Sequence, residues 1–85
     1  MDEGVLAAVR RFPERRRAIE ALAAGDEGFR SLCVDLADAE AALAGWRAST
    51  AAVRDARCAE YRDLVEDLAR EVGAAIGAGR PDDRS

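Results

Sequence analysis

Phe29, Leu32, Leu36, Ala39, Leu43 and Trp46 follow one another at steps of three, four, three, four and three residues. On a 3.6-residue helix that spacing gathers them into one apolar seam, whereas a strand would scatter them over both faces. A second stretch continues the pattern through Val53, Ala56 or Arg57, Tyr61, Leu64, Val65, Leu68, Val72 and Ile76. Between them, Arg47-Ala48-Ser49-Thr50 lacks large apolar residues, and Ser49 or Thr50 is suited to cap a new helix. Two amphipathic helices joined by so short a connection predict an antiparallel, coiled-coil-like hairpin. The alternative is one continuous helix, because twenty of the 85 residues are Ala, the strongest helix former.

Ahead of the hairpin, residues 2–11 predict a short helix capped by Asp2, with Val5, Leu6 and Val9 as its apolar stripe. Pro13 disfavours helix at Phe12 and suits the first turn of a second helix, 13–24, with Ile19, Leu22 and Ala23 inward. Gly25 reads as a left-handed stop and Asp26 as the N-cap of the next helix. The expected fold is therefore all-α. It is a single domain over residues 1–78, a small bundle with helices at 2–11, 13–24, 27–47 and 50–77, followed by a disordered tail at 79–85.

Phe12-Pro13-Glu14, followed by Ile19, Leu22, Asp26, Phe29 and Leu32, resembles the YdcH-like family of small bacterial helical-hairpin proteins. The resemblance covers residues 12–36 and implies a coiled-coil-like hairpin that self-associates, with no assigned activity. The second half departs from the family, using Arg and Ala where the family is rich in Lys, and this chain adds an N-terminal helix and a Trp.

Function classes narrow by what is missing. The chain has no His, the commonest general base and a frequent metal ligand. Its carboxylates fall mostly off the seam and include no inward Glu-x-x-His unit, so no enzyme, metal site or cofactor is expected. Cys33 and Cys58 are not a CxxC pair and, in a hairpin turning near residue 48, are offset by roughly 8 Å along the axis. Cys33 reads as a small core residue. No apolar run is long enough to span a membrane, and the acidic start, Met1-Asp2-Glu3-Gly4, does not read as a secretory signal. A cytoplasmic bacterial protein is the expectation.

The net charge of −4 argues against a dedicated DNA-binding domain. One basic cluster stands out: Arg10, Arg11, Arg15, Arg16 and Arg17, with Phe12 interleaved. It could grip phosphate or nucleic acid, or pair with the acidic flank of the hairpin. Gly73 and Gly77, four residues apart, permit close helix approach. With only two Phe, one Trp and one Tyr, the chain has little bulk with which to close a core alone. The expected role is a non-enzymatic interaction or accessory module, such as a small subunit of a larger assembly. Its protein interface would comprise Phe29, Leu32, Leu36, Leu43, Trp46, Tyr61, Leu64, Leu68 and Val72, meeting a second copy or another protein. A nucleic-acid-associated accessory protein using the cluster at 10–17 is the rival reading.

Overall fold

The computed structural model describes residues 2–78, and the tail predicted at 79–85 lies outside the described residues. Four α-helices, α1 (Glu3–Arg11), α2 (Arg16–Gly25), α3 (Glu27–Arg47) and α4 (Arg54–Ala78), build a small all-α bundle. Two of their starts follow directly from carboxylates. The Asp2 side chain accepts from the Val5 N–H at 2.9 Å, and Asp26 accepts from the Phe29 N–H at 3.0 Å. Each satisfies a backbone donor that the first helical turn leaves unpaired.

The boundaries differ from expectation at three places. Pro13 opens a single 3-10 turn, Pro13–Arg15, and α2 starts only at Arg16. Phe12, held by the following proline at φ −128° and ψ 64°, breaks the chain direction. Gly25 ends α2 without a left-handed backbone, since no described glycine has positive φ; the extended Asp26 makes the turn instead. The Arg30 guanidinium donates to the Ala23 carbonyl and so satisfies an acceptor at the end of α2.

The third difference is the hairpin loop, which runs from 48 to 53, so that α4 begins at Arg54 and not at residue 50. Ser49 caps no helix: its hydroxyl accepts from the Ala51 N–H at 3.0 Å, a local turn that competes with helix. Val53 consequently sits in the loop, 47% exposed, and contributes nothing to the inner face of α4. Arg54 Nε donates to the Arg47 carbonyl at 3.1 Å, fastening the start of α4 to the end of α3.

The hairpin is antiparallel, with Trp46 beside Tyr61 and Asp35 beside Leu68. Phe29, Cys33, Leu36, Ala39 and Leu43 of α3 are buried, as are Cys58, Val65, Val72 and Ile76 of α4. Burial of the larger of these, Phe29, Leu36, Leu43, Val65, Val72 and Ile76, stabilises the fold by about 1.5–3 kcal/mol each. The inner seam of α4 thus includes Cys58, a position its mixed sequence neighbourhood concealed.

The covering of the hairpin comes from α1. Gly4, Val5, Ala7 and Ala8 are buried, and Ile19 and Ala23 of α2 close the base of the core. α1 runs in the same direction as α3, with Gly4 against Cys33 and Val34 and Arg11 reaching Glu40. A Cβ on Gly4 would stand 2.8 Å from the Val34 nitrogen and 3.0 Å from Val34 Cα and the Cys33 carbonyl carbon. All three are backbone atoms and cannot rotate aside. On the other side, Phe12 lays its ring on Gly73, whose Cβ would meet Phe12 Cζ at 3.3 Å. Of the two glycines on α4, only Gly73 accepts a close neighbour; nothing lies within 4 Å of a Cβ on Gly77.

Gly4→Ala tests the contact. Ala gains at most about 1 kcal/mol in helix propensity, less in a first turn, whereas forcing a methyl into a filled backbone contact costs about 1–3 kcal/mol. The expected net effect is a destabilisation of about 1–2 kcal/mol, read as a lowered midpoint in urea monitored by circular dichroism.

Candidate functional site

Each helix of the hairpin has an inner face and two flanks. On α4, Glu66, Ala69, Arg70 and Gly73 lie on the flank that meets Arg11 and Phe12. On α3, Ala37, Glu40 and Ala41 lie on the matching flank, beside Glu3, Leu6 and Arg10 of α1. The opposite flank has no covering helix among the described residues. There, Ala39 and Ala42 of α3 and Tyr61, Leu64 and Leu68 of α4 line a shallow groove of about 470 Å³, bordered by Asp35 and Asp38. It continues toward the loop between Trp46 and Tyr61, where Arg57 and Glu60 border it. Tyr61, Leu64 and Leu68 recur at steps of three and four, which aligns them on one edge of α4.

The structure divides the expected interface residues into two sets. Phe29, Leu36, Leu43 and Val72 are buried inside the bundle and hold the hairpin together, so they offer no surface to a partner. Their heptad spacing is common to core and interface, and α1 and α2 cover the side that a bare hairpin would leave open. Leu32 is half-buried against the core. Trp46, Tyr61 and Leu68 are half-buried and border the groove, and Leu64 is 42% exposed in its middle. Asp35, Asp38 and Ala42 complete the site. Sequence spacing places all three beside the seam, but it does not tell which flank α1 covers.

The arginine cluster is not gathered into one cradle. Arg11 Nε donates to Glu40 at 3.0 Å across α1 and α3, and Arg16 Nε to Glu20 at 3.0 Å within α2. Arg10 borders the hollow between α1 and α3, Arg15 ends the 3-10 turn, and Arg17 stands exposed in the first turn of α2. Phe12, expected to interleave with these cations, is turned onto Gly73 and is not free to stack on a base. Further ion pairs are local: Arg57 with Glu60 at 2.6 Å, and Arg70 with Asp67.

Cys33 and Cys58 are free and buried. Burial, with a smaller contribution from the Asp2 charge, pushes the Cys33 thiol from 9.0 up to about 11. No group of three or more potential metal ligands lies together among the described residues, and no described helix is long and apolar enough to cross a membrane. Set against protein-family models, curated proteins and solved structures, the chain matches none.

The Cys33 shift sets an alkaline limit. Below pH 9 the thiol is protonated whether the chain is folded or not. Above it, the unfolded chain releases the proton first, so the stability held by the neutral buried thiol is lost as pH rises from about 9 through about 11. Urea unfolding at pH 8 and pH 10.5 should show a larger loss in the wild-type chain than in Cys33→Ala.

Proposed function

We propose that this chain is a non-enzymatic protein-interaction module whose docking surface is the open flank of the α3–α4 hairpin. The observation that supports it most is Leu64. A large aliphatic side chain stands 42% exposed in the middle of a groove whose walls are also apolar, between Tyr61, Leu68 and Ala42. Scattered exposed apolar residues need no explanation, but a contiguous lined groove with an aromatic at its end is the form that docking surfaces take. Trp46 and Tyr61 have the amphipathic character of interface anchors.

On this reading the chain is an accessory or structural subunit, and its single-domain hairpin supplies a rigid edge. The arginine cluster offers no comparable surface, because Arg11 and Arg16 are engaged within the chain and Phe12 is turned inward.

Photo-crosslinking by position tests this. A benzophenone side chain placed at 64 or 68 in the native host should give one discrete adduct, the same from both positions, whereas exposed position 59 should give none. Equal adducts from all three positions, or none from 64 and 68, would remove the assignment.

A further inference from the structure

We infer that the groove receives a short amphipathic helix with one basic edge. The inference rests on the docking reading above and adds the chemistry of the partner. Two observations carry it.

The first is that the molecule already covers its other flank with such a helix. α1 is nine residues long, turns Val5, Ala7 and Ala8 inward, and carries Arg10 and Arg11 in its last turn. Arg11 closes the contact by donating to Glu40 on the rim of α3 at 3.0 Å. An apolar stripe against the hairpin with a guanidinium on an acidic rim is therefore a geometry this scaffold holds.

The second is the charge around the open groove. Asp35 and Asp38 border its α3 side, and neither has an ion-pair partner among the described residues. On the α4 side, Arg57 is the one cation lining the groove, and it is already joined to Glu60 at 2.6 Å. The rim is acidic along its α3 side, beside an apolar floor. A second copy presenting the same face would bring two more unpaired carboxylates to the interface and no free cation. A helix with Lys or Arg along the edge facing α3 neutralises Asp35 and Asp38 while its apolar stripe covers Tyr61, Leu64 and Leu68. From Arg57 to Leu68 the helix rises about 17 Å, room for about three turns of a partner.

Trp46 is the only Trp in the chain and borders the groove, so its emission reports occupancy. The probe is a stapled helical peptide of about 14 residues with Leu at i, i+3, i+4 and i+7 and Lys along one edge; its counterpart carries Glu in place of Lys. The Lys peptide should shift Trp46 emission saturably to the blue, and should bind at least about fivefold more weakly at about 0.5 M salt than at about 0.05 M. Asp35→Asn with Asp38→Asn should weaken it by about fivefold, and Leu64→Asp should abolish binding with the helical circular dichroism retained, since Leu64 is exposed.

Equal binding of the Glu peptide, or an unchanged affinity in the double Asn variant, overturns the basic-edged partner and leaves the docking surface standing. A dimer in light scattering that Leu64→Asp dissociates makes a second copy the occupant, with the same consequence. If neither peptide binds, the inference fails; if positions 64 and 68 also give no crosslink, the docking reading fails with it.

Discussion

The bundle depends on two backbones being allowed to touch. α1 rests on α3 at Gly4, where there is no room for even a methyl group above Cys33 and Val34. Ala7 and Ala8, with no exposed surface, extend the same close approach along the helix. Small side chains bury little apolar area, so the contact gains its strength from many short-range dispersion contacts that act only at near-contact distance. The largest fully buried side chains, Ile19, Leu36, Ile76, Val72 and Cys33, are of modest size and include no aromatic ring. A core of this kind has little reserve, and a single displaced helix opens much of it.

That approach also makes the molecule one-sided. α1 and Phe12 occupy one flank of the hairpin and leave the other to Trp46, Tyr61, Leu64 and Leu68. The apolar surface is divided accordingly. Residues whose spacing fits either a core or an interface become core where α1 or α2 reaches them and surface where it does not. The arginines follow the same division: Arg11 serves the covered side, where Glu40 receives it, while Asp35 and Asp38 on the open side have no such partner among the described residues.

Much of the fold was legible because it rests on periodicity and capping. The seam from Phe29 to Trp46, the matching one through Tyr61, Val65, Leu68, Val72 and Ile76, and the caps at Asp2 and Asp26 are local signals, and the structure keeps them, while Leu64 of the second seam is turned outward. The docking of α1 was not legible. Gly4, Ala7 and Ala8 have no hydrophobic period to read in a chain so rich in Ala, and their role appears only when the opposite backbone is in place. The same ambiguity hid Cys58 on the inner face of α4 and put the start of that helix too early, since the turn formed by Ser49 and Ala51 resembles a cap in sequence. The groove was half legible: its large apolar residues, Trp46, Tyr61, Leu64 and Leu68, were named, but four buried ones were named with them, and the acidic border depends on which flank is left bare.

The order of the helices has a consequence for biosynthesis. α1 and α2 leave the ribosome before the surface of α3 and α4 that receives them has been made. For that interval the stripe of Val5, Ala7, Ala8 and Ile19 has no native neighbour, and helices of about ten residues do not persist alone in water. The helicity of α1 and α2 therefore waits on the synthesis of α3, the helix on which α1 mainly rests.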